Sequence, residues 1–138
     1  MDVFRLIAIH EGLKLNLYKC PAGKWTIGYG RNLEDRGISI AEADFMLQND
    51  ISDAYKNCAR IFPNWAAIGE VRQAALIDMC HNLGAQGLSL FIRTVDAVNR
   101  EAWEEASKEM LDSRWAKQVG KRATRLSDMI RTGQWPVI

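Results

Sequence analysis

The sequence predicts a mostly helical α+β fold, in which a small helix-plus-β-hairpin lobe is joined by one long helix to an all-helical lobe. Three observations carry this expectation. Apolar and polar residues alternate between Leu13 and Tyr29, the two-residue period of strands. From Ser39 onward apolar residues recur at three- and four-residue spacing, the period of helices. The 138 residues, 48% of them apolar, contain no solenoid repeat, low-complexity tract or flexible linker, so residues 1–138 are expected to form a single domain with a substantial core.

The elements follow in order. Asp2 caps a first helix, 2–11, whose Val3, Phe4, Leu6, Ile7 and Ile9 crowd one broad face, and Gly12 stops it. Leu13, Leu15 and Leu17 alternate with Lys14, Asn16 and Tyr18, and Trp25, Ile27 and Tyr29 alternate with Thr26, Gly28 and Gly30. These are two half-buried antiparallel strands, connected through Cys20 to Lys24 with Pro21 and Gly23. Arg31 to Gly37 reads as a polar loop. Ser39 and Glu42 form a capping box, after which Ala43, Leu47, Ile51, Ala54 and Cys58 mark one long helix over 40–61, ending before Pro63. Glu70 to Asn82 is apolar around most of its circumference and should be the buried centre of the second half. Gly84 and Gly87 interrupt the chain. Three amphipathic segments follow, Ser89 to Asn99, Glu101 to Leu111 and Lys121 to Thr132, the last ending at Gly133. The lobes then comprise about 13–60, with the hairpin, and about 61–138 together with the N-terminal helix, and a cleft between them is the expected substrate site.

Charge and cysteine usage exclude several classes of function. Eighteen basic side chains face seventeen acidic ones, so nothing draws the chain to nucleic acid or to an anionic membrane in general. No apolar run approaches the roughly 20 residues that cross a bilayer, so no membrane insertion is expected. The opening MDVFRLIAIHEG is acidic where a signal peptide is basic and lacks a cleavage site, so the chain is expected to stay in the cytosol after synthesis. Cys20, Cys58 and Cys80 are odd in number and lack paired metal-ligand spacing, so three free thiols, no metal and no cofactor are expected. Cys58 and Cys80 read as small buried hydrophobes. Cys20, in the hairpin turn, stays open between packing residue and reagent.

Glu11 stands at the last turn of a helix, where the macrodipole disfavours a carboxylate. Burial against the hairpin would keep it protonated near neutrality, as a general acid for glycosidic cleavage requires; the alternative is a solvated helix-end glutamate.

Glu11, eight intervening residues, Cys20, five more and Thr26 followed by IGYG together resemble the active-site motif of phage-type lysozymes, glycoside hydrolase family 24. HEGLKLNLYK, WTIGYG, VRQAALIDM, SRWAKQ and RTGQW are similar to pieces of that family in the same order. The resemblance covers nearly the whole chain and is greatest to the lysozymes of T-even phages, with a shorter loop between hairpin and bridging helix. It implies a lysozyme-like fold that hydrolyses the β-1,4 bond between N-acetylmuramic acid and N-acetylglucosamine in bacterial peptidoglycan. By the same resemblance Glu11 protonates the leaving oxygen, Cys20 stands where the second catalytic group, most familiarly an aspartate, stands, and Thr26 helps hold the attacking water. Gly30 matches the cleft floor, His81, Asn82 and Leu83 the opposing wall, Gln118 a groove-side polar residue and Trp115 a structural tryptophan. Arg122 matches the arginine that pairs with the catalytic glutamate. Arg31 replaces a histidine common in relatives, so a structural ion pair there is expected to be replaced or absent.

A thiol is only a few per cent ionised at pH 7, so Cys20 can be a thiolate base, a nucleophile or a neutral hydrogen-bonding group. Inversion is the family expectation. Lys19 and Lys24 are the nearby cations that would favour the thiolate. The resemblance further implies synthesis in a host bacterium's cytoplasm, action on the wall after release by a holin-type membrane protein, and a monomer serving as a lysis protein or antibacterial effector. A lytic transglycosylase, and a catalytically weak peptidoglycan-binding protein of the same fold, are the competing readings.

Overall fold

The computed structural model describes residues 1–138. Helix α1, Val3–Glu11, is followed by strands β1, Lys14–Lys19, β2, Trp25–Gly28, and β3, Arg31–Asn32, and by a short helix α2, Leu33–Arg36. Next comes α3, Ile40–Ile61, then a 3₁₀ turn, Trp65–Ala67, and α4, Glu70–Ser89. The chain closes with α5, Ile92–Asn99, α6, Trp103–Leu111, α7, Arg114–Val119, and α8, Lys121–Thr132. The mostly helical α+β class is what the sequence predicts. Contacts group the chain into two compact units, Met1–Met46 and Leu47–Ile138.

In the first unit the starts and stops are local chemistry. Asp2 accepts from the Arg5 amide at 2.8 Å, and the Gly12 amide closes the end of α1 on the Ala8 carbonyl at 2.9 Å. The sheet is antiparallel in the order β1-β2-β3, with Tyr18 opposite Thr26, Lys19 opposite Trp25 and Thr26 opposite Asn32. β3 and α2 occupy the segment expected as a polar loop. Asn32 makes the difference, since it pairs in the sheet and its side chain also accepts from the Asp35 amide at 3.0 Å, capping α2.

The strand faces also depart from the expected alternation. Pairing is irregular between Lys14 and Tyr18, which takes Leu15 and Leu17 out of a regular ladder, and both stay exposed. On β2 the expected inward residue Trp25 is 42% exposed while Thr26 is 2% exposed. β2 is the central strand, and the small Thr26 is covered from both sides while its hydroxyl is satisfied by the Lys24 carbonyl at 2.8 Å.

The capping box forms as expected, the Glu42 amide reaching Ser39 Oγ at 3.1 Å and the Ser39 amide reaching Glu42 Oε1 at 2.9 Å. In the second unit α4 is the buried centre, with Ala75, Leu76, Met79 and Cys80 in the core beside Phe62, Val98, Met110 and Ile130. Gly84 breaks α4 with φ 78 and ψ 162, whereas Gly87 stays helical within it. Arg72 fastens α4 to the end of α8, donating from Nε to the Ile130 carbonyl at 2.7 Å and stacking 4.2 Å over Trp103. Helix α7 was not among the amphipathic segments; six residues are too few to show a period, and its start is set by Ser113, which accepts from the Ala116 amide at 3.1 Å.

Candidate active site

The connection between β1 and β2 is a closed turn. The Cys20 amide donates to the Lys24 carbonyl at 2.9 Å and the Gly23 amide to the Cys20 carbonyl at 2.8 Å, with Gly23 at φ 79. The half-buried Cys20 thiol faces back into this turn. Its pKa is lowered, first by a hydrogen bond from the Lys24 backbone, with partial burial opposing and the Ala22 backbone and Thr26 hydroxyl adding to the lowering. Thr26 has a single hydroxyl proton, and the Lys24 carbonyl takes it at 2.8 Å. Donation to the sulfur therefore competes with that bond, and while it is made the threonine offers its oxygen as an acceptor.

The two expected cations are engaged elsewhere. Lys24 Nζ lies 3.3 Å from Glu34 and 3.4 Å from Asp35, and Lys19 sits 4.8 Å over the Trp25 ring. Backbone amides, not lysines, favour the thiolate.

Glu11 ends α1 as an exposed residue, so the expected burial against the hairpin does not surround it. Its carboxyl group instead lies over Gly30. A Cβ on Gly30 would stand 2.6 Å from the Glu11 carboxyl carbon and closer still to Oε2, and Gly30 itself has φ +76. Only glycine gives the carboxylate this seat. Arg31, next in the chain, forms the ion pair with Glu42, Nη2 to Oε2 at 2.8 Å and Nη1 to Oε1 at 2.8 Å, and also reaches the Gly37 carbonyl at 3.2 Å. The arginine and the capping bonds from Ser39 hold Glu42 down to about 2.

In the second unit the three adjacent residues expected as one wall diverge, because consecutive positions on a helix are turned about 100° apart. Leu83 and Gln118 line one groove of about 560 Å³ with Phe91, Arg93, Arg114 and Trp115. His81 lines a different cavity, of about 290 Å³, with its Nε2 3.4 Å from Asp50 Oδ2. Asn82 accepts from Trp115 Nε1 at 2.7 Å, so its carbonyl oxygen is occupied and its NH2 group is left as the outward donor. Trp115 is buried, as expected, and meets Phe91 edge to face at 6.0 Å. Arg122 pairs with Asp78 within this unit, Nε to Oδ1 at 2.7 Å. That partner is new, for the resemblance had assigned Arg122 to Glu11. Arg93 and Arg114, which charge the rim of the larger groove, escaped the sequence reading because α5, α7 and the end of α4 meet only in the fold. No three His, Cys, Asp or Glu side chains are grouped to hold a metal ion.

The family model described as phage lysozyme matches residues 8–131. The chain belongs to the phage lysozyme family. Among curated relatives it is 30% identical to an endolysin of Acyrthosiphon pisum secondary endosymbiont phage 1, over 94% of this chain and 88% of that protein. It is 27% identical to the pre-baseplate central spike protein Gp5 of Enterobacteria phage T4, over 96% of this chain, and it spans only 28% of that protein's length. Similarity to a probable T4-type lysozyme of Dictyostelium discoideum is 25% over 93% of this chain and 92% of the relative. The α+β, mostly helical architecture is lysozyme-like. Family membership makes the chain a lytic enzyme of glycosidase type, and no helix is long and apolar enough to cross a membrane.

Proposed function

We propose that the chain is a muramidase, hydrolysing the β-1,4 bond between N-acetylmuramic acid and N-acetylglucosamine in peptidoglycan, with residues 1–138 acting as one catalytic domain. The observation that carries this reading is the hairpin turn, where the Cys20 thiol and the Thr26 hydroxyl interact beside amide donors that favour charge on sulfur. Glu11, seated on Gly30, is the general acid that protonates the leaving oxygen. Cys20, as thiolate, is the base that draws a proton from a water for which Thr26 supplies a hydrogen-bonding oxygen, and the product is inverted at the anomeric carbon. Asn82, through its NH2 group, and Leu83 and Gln118, along the larger groove, bind sugar; His81 lines the separate cavity beside Asp50. Arg122, through Asp78 of α4, positions the start of α8.

The proposed setting is a host bacterium. The enzyme accumulates in the cytoplasm as a monomer, a holin-type membrane protein opens the route, and the wall is the substrate. Release of soluble saccharide from purified peptidoglycan tests the assignment of the acid. Glu11→Gln is expected to lose roughly 10²–10⁴-fold in rate, and a Glu11→Gln chain that cleaves at the unmodified rate would sink it.

A further inference from the structure

Cys58 on α3 and Cys80 on α4 take no part in the proposed chemistry, and both are buried free thiols in the core of the second unit, at 0% and 2% exposure. Their placement is specific. The Cys58 thiol donates to the Leu76 carbonyl at 3.6 Å. In a helix that carbonyl is the one bonded to the amide four residues on, which is Cys80, so the Cys58 sulfur is directed at the turn of α4 that carries the second thiol. Leu76 and Cys80 are four residues apart and so share one face of α4. Cys80 is reached from outside, because it lines the cavity of about 290 Å³ together with Ala54 and Asn57 of α3 and His81 and Gly84 of α4. The break at Gly84, four residues beyond Cys80, gives α4 a place to adjust as the sulfurs close.

We propose that Cys58 and Cys80 are a latent disulfide, open while the chain is in a reducing compartment and closed across α3 and α4 by a low-molecular-weight or protein disulfide oxidant. Closure is a two-step exchange. The Cys80 thiolate attacks one sulfur of the oxidant, forming a mixed disulfide and releasing one oxidant thiolate. The Cys58 thiolate then attacks the Cys80 sulfur and releases the second. Two protein thiols are oxidised, one external disulfide is reduced to two thiols, and the two protein protons end on the released sulfurs. Burial raises both protein thiols above their ordinary range, so the exchange is slow. For a lytic enzyme that leaves the cytoplasm, the bridge would strengthen the second unit only where the enzyme works. The bridge itself rests on the Cys58 sulfur being seated against the turn of α4 that carries Cys80, and does not depend on which bond the enzyme cleaves.

The test uses the full unmodified chain, incubated with oxidised glutathione and mapped under non-reducing conditions by mass spectrometry. The expected result is a linked pair of tryptic peptides, Asn57–Arg60 joined to the peptide containing Cys80, with Cys20 not part of the bridge. Tm should rise by about 10 °C, as expected for a loop of this length, and dithiothreitol should reverse the rise. Cys58→Ala and Cys80→Ala should each remove the reversible rise. Cys58 and Cys80 recovered as free thiols, with oxidation confined to a Cys20 adduct or a Cys20-linked dimer, would overturn the proposal whatever the variants do.

Discussion

At the residue scale the proposed mechanism turns on a thiol in place of a carboxylate. The Lys24 and Ala22 backbone amides and the Thr26 hydroxyl lower the pKa of Cys20 without a cation. If the thiolate is the working base, rate should climb with pH as the thiol ionises, and the limb should lie below that of an ordinary cysteine. Cys20→Asp should move the limb toward acid while keeping activity, and Cys20→Ala should cost roughly 10²–10⁴-fold. A pH profile unchanged by Cys20→Asp would mean position 20 does not carry the proton. Gly30 makes a second demand, because any side chain there meets the Glu11 carboxyl group and must also adopt φ +76. Gly30→Ala should therefore reduce kcat by about 10² through displacement of the acid, with a smaller loss of stability of about 1–2 kcal/mol. Circular dichroism with steady-state kinetics separates the two effects, and a folded Gly30→Ala chain of full activity would show that the carboxylate does not need this seat.

Elements explain what could be read in advance and what could not. α1, the hairpin, α3 and the centre of α4 were legible because each has a written start and stop: Asp2 and Gly12, the turn with Pro21 and Gly23, the Ser39 and Glu42 box, and the apolar run ending at Asn82. β3 and α2 were not, because a two-residue strand and a four-residue helix have no period and exist by the partners that Asn32 finds. Of the site, Glu11, Cys20 and Thr26 were named by motif, yet the alternation on β2 pointed Thr26 outward when the central position of the strand buries it. Ion-pair partners were the least legible, since Arg31 with Glu42 and Arg122 with Asp78 join residues from different elements. The first pair has a consequence for acid stability. Glu42 is held at about 2 against an ordinary value of 4.5, so its contribution is complete above pH 4.5 and is lost as pH falls toward 2. Glu42→Gln should flatten urea-derived stability over that window, more visibly at low salt because the pair is partly exposed. Arg72→Ala, which removes the bond to the Ile130 carbonyl and the stack on Trp103, should cost about 1–3 kcal/mol by the same assay.

For the whole molecule, the balance of eighteen basic and seventeen acidic side chains sets how it meets an anionic wall. Without a net field, adsorption to peptidoglycan should change by no more than roughly threefold between 50 and 200 mM salt, and a steep loss in a sedimentation assay would point to a concentrated basic face. In the proposed reading, specificity rests on local groups: Glu11 on α1, Cys20 and Thr26 of the hairpin, and, in the second unit, the groove lined by Leu83 and Gln118. These groups together make the central claim one of bond chemistry, a water-mediated cleavage that needs both an acid and a second polar pair. Mass spectrometry of the sugar ends released from purified peptidoglycan by the unmodified chain tests it most directly. Saccharides ending in reducing N-acetylmuramic acid are the predicted result; ends of the anhydro form, or release no greater than that of Glu11→Gln, would contradict it.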